Sequence, residues 1–274
     1  MCRILGAVAR ERTSLRHELL EAPNPFVRQS ESHDSGWGTA VYARTDGADP
    51  ELVRFAKAAF EDPRFEGAVD ARGRIFNCHV RRATLGGLGL ENTHPFTLGP
   101  YSFSHNGTII KFPRFLERGV MSPGGDTDSE AMFNFLMRDF DDGHPVRSLR
   151  AAVRGAIERT PFSGLNFLFS DGTKLYAYRL GIFGLHWRSD GDRLLVASEK
   201  SDPDDTSWHT VAQDVLLVCD PESPEEPHAL RLAGDEWVER AEIDAFEEAK
   251  ELRGEARGAY AAARAKRLAA AASE

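Results

Sequence analysis

Apolar residues follow two rhythms along this chain, and the changes between them mark out its elements. Ile4, Leu5, Ala7 and Val8 form a short apolar run that predicts a buried strand. Thr13 then stands where a cap would open a short helix over residues 13–21, with Leu15, Leu19 and Leu20 inward and Pro23 and Pro25 beyond its end. A polar loop leads into residues 36–43, an apolar strand opened by glycines. Asp49-Pro50 has the form of an N-cap followed by proline at the first helical position, so Leu52, Phe55, Ala56 and Ala59 predict a helical stripe. Residues 74–82 read as a strand before the loop Gly86-Gly87-Leu88-Gly89. Residues 101–105 alternate as another strand and stop at the turn dipeptide Asn106-Gly107.

Helical spacing takes over in Met132, Phe133, Phe135, Leu136 and Phe140, and a second helix is expected over residues 146–158. Strands then return. Residues 165–170 and 173–178 flank Asp171-Gly172, which predicts a hairpin with a two-residue turn. Residues 183–187, 193–198 and 215–219 continue the series. From Gly234 the chain is rich in Ala and Glu, with Trp237, Ile243, Phe246, Leu252, Tyr260 and Leu268 scattered through it. It predicts one or two helices docked on the body. Strands, two helices and more strands suit an α+β protein whose helices cover stacked sheets. The division expected is a main domain over 2–232 and a helical extension over 233–274.

Composition narrows the function classes. An apolar fraction of 41% and a charged fraction of 28% are those of an ordinary globular protein. A net charge of −9 without any basic block counts against nucleic acid as a partner. No apolar run is long enough to span a membrane, and Arg10, Glu11 and Arg12 follow the first strand too soon for a signal peptide. Cys2, Cys78 and Cys219 are odd in number and far apart, which argues against a disulfide framework and against a CxxC metal site. A reducing cytoplasm and no cofactor are expected, with Cys78 and Cys219 as buried apolar residues.

Cys2 changes the picture. If Met1 is removed, as is common before a small side chain, the chain starts with a thiol and a free α-amine on one residue. The amine titrates near about 8 and the thiol near about 8.5, so the amine can accept the thiol proton. Four further segments carry chemistry. In His79-Val80-Arg81-Arg82-Ala83-Thr84 a strand ends in a guanidinium, the best side chain for gripping a carboxylate, followed by a small hydroxyl residue. Taken alone it reads sooner as a surface salt-bridge pair. Asn92-Thr93-His94-Pro95-Phe96 is a turn with several hydrogen-bonding side chains. His105-Asn106-Gly107 pairs an amide side chain with an unhindered backbone N–H, two donors able to meet one oxyanion, or simply a turn. Thr127-Asp128-Ser129-Glu130 opens a helix, and Asp128 is either its cap or a carboxylate for an ammonium group. His79, His94 and His105 lack metal-ligand spacing, and no lysine follows the glycine loop as a phosphate site requires.

Taken in order, Met1-Cys2-Arg3-Ile4-Leu5-Gly6, Asp34-Ser35-Gly36-Trp37-Gly38, His79-Val80-Arg81, Asn92 to Phe96, His105-Asn106-Gly107 and Gly125-Asp126-Thr127-Asp128-Ser129-Glu130 resemble the class II glutamine amidotransferases, which are N-terminal-nucleophile hydrolases. The likeness is greatest to the small stand-alone branch that includes the ergothioneine-pathway γ-glutamyl hydrolase, and it extends to about residue 220. The resemblance implies a four-layer αββα sandwich. It implies Cys2 as nucleophile, Asn106 and Gly107 as oxyanion donors, Arg81 on the substrate α-carboxylate and Asp128 on its α-amino group. Thr84, His94 and Trp37 are the other substrate-binding residues it implies. Ser35 and Arg82, which flank the expected pocket, depart from many members. The expected activity is hydrolysis of the γ-amide of glutamine or of a γ-glutamyl conjugate. The expected partner is a small molecule, with a synthetase or a second copy as further candidates. A silent module of the same fold, binding glutamine or docking on a synthetase, is the alternative.

Overall fold

Alternation along the first strand determines the architecture. β1 (Arg3–Thr13) turns Leu5 and Ala7 to one apolar cluster and Ile4 and Val8 to another, so it needs cover on both faces. The computed structural model describes residues 2–110 and 124–243. The other strands are β2 (Gly36–Tyr42), β3 (Glu51–Phe55), β4 (Gly73–Arg81), β5 (Phe96–Leu98), β6 (Tyr101–Asn106), β7 (Asn166–Ser170), β8 (Leu175–Arg179), β9 (His186–Ser189), β10 (Arg193–Ala197), β11 (His209–Thr210), β12 (Val215–Cys219) and β13 (His228–Arg231). They form two antiparallel sheets, in the orders β11-β9-β10-β1-β4-β2-β3 and β13-β12-β8-β7-β6-β5. The helices are α1 (Phe26–Gln29), α2 (Pro63–Ala68), α3 (Asp128–Met137), α4 (Pro145–Arg159) and α5 (Asp235–Glu239).

Three apolar clusters glue four layers together. Between the sheets, Ile4, Val8, Ile75 and Val196 meet Leu168, Leu175, Ala177 and Leu217. Gly6 belongs to this interface, since a Cβ there would lie 2.7 Å from a methyl of Leu175. On the outer face of the first sheet, Leu5, Trp37 and Val80 pack on Leu15, Leu19, Phe26, Phe65 and Val69 from short helical segments. On the outer face of the second, Phe103, Phe167, Phe169 and Tyr178 pack on Met132, Phe133 and Leu136 of α3 and on Leu149 and Val153 of α4. The layers are αββα, as the resemblance implies.

Several local expectations change. Residues 51–55 form β3, an edge strand paired with β2 from Trp37↔Phe55 to Val41↔Glu51, and not a helix. Leu52-Val53-Arg54-Phe55 suits a pleated ribbon, and cross-strand pairing outweighs the Asp49-Pro50 cap signal. The same dipeptide does open a helix at Asp62-Pro63, where the Asp62 side chain accepts from the Arg64 amide at 3.2 Å. Thr13 ends β1 without capping anything, and the following segment is a single π-turn, His17–Glu21. The hairpin loop holds four residues, because Ser170 pairs with Leu175. Asp171 accepts from the Thr173 and Lys174 amides at 2.8 Å, and Gly172 takes φ +78°, which glycine favours. α5 and Ile243 pack beside α4, where Arg154 bonds the Ala233 carbonyl and lies over the Trp237 ring. Phe246, Leu252, Tyr260 and Leu268 lie outside the described residues. No helix among the described residues is long and apolar enough to cross a membrane.

Candidate active site

Cys2 stands immediately before β1, and the ladder that pairs Arg3 with Val80 continues to set Cys2 across from Arg81. Its parity with Ile4 puts it on the inner face of the first sheet. The Ser198 hydroxyl accepts from the Ile4 amide at 3.1 Å, and the Ser198 amide donates to the Ile4 carbonyl at 3.0 Å, which anchors this end of β1. Cys2 is 8% exposed, and its Sγ donates to the Arg82 carbonyl at 3.7 Å.

Arg81 is buried and held by the glycine-rich loop: its guanidinium donates to the carbonyls of Gly87 at 2.8 Å and Leu85 at 3.1 Å. That loop is clipped in turn by Asp126, whose Oδ1 accepts from the Gly87 amide at 3.1 Å and from Asn92 Nδ2 at 2.7 Å. Gly86, at φ +78°, has no room for a Cβ, which would lie 2.6 Å from Asp126 Oδ1. Burial lowers the Arg81 pKa from its usual value, against the pull of Cys2, Asp128, Asp126 and Glu91. A guanidinium stays charged under such a shift, so a cation is fixed beside the thiol.

The second sheet supplies the opposite wall. Asn106 ends β6 across from Asn166, and its Oδ1 is buried with no hydrogen-bond partner among the described residues. Gly107 is required by contact, since a Cβ there would sit 1.8 Å from the Gly164 carbonyl oxygen. Thr108 reaches the Thr84 hydroxyl at 3.4 Å, which ties the strand end after Arg81 to this turn. Asp128 is buried at the first turn of α3, and its Oδ2 accepts from the Ile109 amide at 2.6 Å. Thr127 is the helix cap instead, accepting from the Glu130 amide at 3.2 Å. Burial raises the Asp128 pKa, opposed by His105 and the Ile109 N–H.

His79, His94 and His105 are all buried close by. His79 Nε2 donates to the His105 carbonyl at 3.3 Å, and burial pushes its pKa down to about 3. His105 Nε2 donates to the Gly164 carbonyl at 3.0 Å, leaving Nδ1 to accept from Ser129 at 2.9 Å. His94 stacks on His79 with centroids 4.1 Å apart and meets Phe96 at a tilt of 56°, centroids 4.4 Å apart. His94 is 2% exposed, as buried as Arg81, and neither of its ring nitrogens has a hydrogen-bond partner among the described residues. The expectation for Trp37 is corrected. It neighbours Val80 on the outer face, packs on Phe55 and Phe65, and donates to Asp62 at 3.0 Å. Period-two alternation sends Trp37 away from the face that carries Cys2. Cys78 is fully buried, and its thiol pKa is pushed up to about 12. Among the described residues no three His, Cys, Asp or Glu side chains converge as a metal site.

Cys2, Arg81, Thr84, Asn106, Gly107 and Asp128 are thus drawn toward one end of the sandwich. Asn92, Asp126 and Ser198 hold them there. The first two stood inside quoted motifs, but nothing in the sequence showed that they bond each other. Glu130 also anchors the entry to α3, accepting from the Gly124 and Gly125 amides at 2.9 Å.

Comparison with known proteins gives the family and the fold. The family model for "Glutamine amidotransferases class-II" matches residues 1–187. "Putative glutamine amidotransferase YafJ" of Escherichia coli is 28% identical over 202 residues, covering 68% of this chain and 76% of that one. An uncharacterised protein of Methanocaldococcus jannaschii is 30% identical over 198 residues, or 65% of this chain, which spans only 51% of that relative's length. In three dimensions the chain resembles a glutamine phosphoribosylpyrophosphate amidotransferase from B. subtilis, with a TM-score of 0.63 and 18% identity, over 85% of this chain and 50% of that one. It also resembles a glutamine aminotransferase class-II domain protein from Silicibacter pomeroyi, with a TM-score of 0.60 and 21% identity, over 85% of this chain and all of that one. These two likenesses speak for the fold. From the match over residues 1–187, the chain belongs to the class II glutamine amidotransferases.

Proposed function

We propose that this protein hydrolyses the γ-amide of glutamine, or of a γ-glutamyl conjugate as in the ergothioneine-pathway branch, through a thioester on Cys2. The observation that carries the reading is the pairing of Cys2 with Arg81 on the inner face of one sheet, opposite the Asn106-Gly107 turn of the other. Once Met1 is removed, the Cys2 α-amine takes the thiol proton and Sγ attacks the γ-carbonyl carbon. Asn106 Nδ2 and the Gly107 N–H receive the oxyanion. Arg81 binds the substrate α-carboxylate, and Asp128, a buried carboxylate, binds the α-ammonium with Thr84 alongside. When the C–N bond breaks, the departing nitrogen takes the proton held by the α-amine. Water then attacks the thioester and releases glutamate.

The test is an intact mass before and after exposure to a diazoketone analogue of glutamine. Loss of Met1 with one adduct on Cys2 is the expected result. Retained Met1, or turnover that survives Cys2→Ala with the fold intact, overturns the reading.

A further inference from the structure

The outer helical layer carries a charge opposite to that of the chain as a whole. A groove of about 540 Å³ lies over α4, with α3 and α5 contributing to its walls. Five guanidiniums and a single carboxylate line it, in a chain whose net charge is −9. Arg147, Arg150, Arg154 and Glu158 come from α4 at spacings of three and four, so they share one helix face. Arg138 enters from α3, and Trp237 from α5, with Arg154 over its ring. Glu158 pairs with Arg159 at 3.7 Å, and Arg138 with Asp139 at 2.7 Å. Among the described residues, Arg147, Arg150 and Arg154 have no carboxylate partner. Arg150 and Arg154 donate to the carbonyls of Leu232 at 2.8 Å and Ala233 at 2.6 Å, which leaves both charges unneutralised. Like charges at this spacing destabilise a helix, so this face calls for anions.

Two observations indicate what covers it. The Phe162 amide donates to the Glu242 carbonyl at 3.2 Å, just past Arg159 where α4 ends, and Ile243 packs against the same helical layer. The chain beyond Ile243 therefore starts at the C-terminal end of the groove. That continuation, outside the described residues, holds Asp244, Glu247, Glu248, Glu251 and Glu255. On a helix these carboxylates would occupy roughly a third of the circumference, with Lys250 and Arg253 outside that arc. Their line is as long as the one from Arg147 to Glu158.

We propose that residues 244–255 fold back as a helix antiparallel to α4 and lay this acidic face in the arginine groove. Asp244 then meets Arg159, Glu248 meets Arg154, Glu251 meets Arg150 and Glu255 meets Arg147. Short connections commonly join such antiparallel neighbours. Isolated exposed ion pairs are worth little; here several act in one groove, with Trp237 as its apolar edge. A second copy or a free polyanion could offer the same charge. The tethered segment has the advantage of a high effective concentration, about millimolar for a short linker.

The experiment is hydrogen exchange by mass spectrometry on the full chain, read on peptides covering residues 244–255 at two widely separated protein concentrations. The wild type is expected to protect those amides about tenfold or more over a free peptide of the same sequence, equally at both concentrations. Arg147→Glu with Arg150→Glu should abolish the protection, as should Glu251→Lys with Glu255→Lys, and the chain carrying all four changes should regain it. Arg150 also holds Leu232, so the pair of changes in the segment checks that the loss does not come from a disturbed α5. Unprotected amides in the wild type, protection that either reversal leaves intact, or no recovery in the fourfold variant would overturn the proposal. Protection that appears only at the higher concentration, together with a dimer in ultracentrifugation, would assign the groove to a second copy and overturn it as well.

Discussion

Asn106 sits where two demands meet. Its Nδ2 is proposed as an oxyanion donor, while its Oδ1 lies buried without a partner among the described residues. Removing one oxyanion donor costs roughly 10²–10³ in kcat, so Asn106→Ala should lose activity on that scale with little change in KM. Steady-state kinetics on glutamine measures it. Asp128 should divide differently. It is proposed to bind substrate in ground and transition state alike, so Asp128→Asn should raise KM by about tenfold or more with a smaller effect on kcat. A pure kcat loss would move Asp128 from binding to chemistry. Both expectations rest on residues visible in the sequence as motif members. Two of their neighbours were not readable in the same way. The resemblance implied Trp37 as part of the site, yet strand parity turns the indole to the opposite face. His94 read as one of several hydrogen-bonding side chains in a turn, yet it is buried in a stacked pair with His79. Linear adjacency carries identity; the face a side chain takes follows from pairing with β4, which lies dozens of residues further on.

Among the elements, the α2 cap and the β2 strand share one carboxylate. Asp62 accepts from the Arg64 amide and from the Trp37 indole, and it pairs with the Arg64 guanidinium at 2.7 Å. Asp62→Ala removes the cap and leaves a buried indole N–H unpaired, which should destabilise the fold by about 1–3 kcal/mol. Urea unfolding checks the size, and unchanged glutamine kinetics below the transition would place the effect on the scaffold. This element also shows why sequence signals need their context. Asp49-Pro50 and Asp62-Pro63 are the same dipeptide, and only the second opens a helix. The first is followed by residues that complete an edge of the first sheet, a demand set by β2 and invisible in a local window. The hairpin at Asp171-Gly172 was legible because its signal is local. Its loop length was not, since Asp171 folds the next three residues into its own turn.

At the scale of the whole molecule, burying histidines between and behind the sheets makes stability depend on pH. His79, His94 and His105 all have pKa values lowered by burial, His79 to about 3. The unfolded chain takes up these protons near about 6.5 while the folded one does not, so stability is full above that pH and falls as pH drops. For His79 the loss runs at up to ~1.4 kcal/mol per pH unit between about 6 and 3. Asp128 works in the opposite sense, since its raised pKa favours the folded state where it is protonated. Urea midpoints at pH 7, 6 and 5 should therefore decline, and His79→Gln should flatten the slope while lowering stability at pH 7. A slope unchanged by that substitution would mean His79 is solvated in the folded state.

The placing of β1 in the middle of its sheet also governs the order of assembly on the ribosome. β1 is flanked by β4 and by β10, and its pairs with β10 run from Leu5↔Ala197 to Ala9↔Arg193. One side of β1 stays unpaired until some 190 residues later in the chain. Until then Ile4 and Val8 lack Val196 and Leu194 as packing partners. A chain halted before residue 193 therefore leaves β1 with one bare edge in the middle of its sheet, and the layer around Cys2 closes only when the β10 segment arrives.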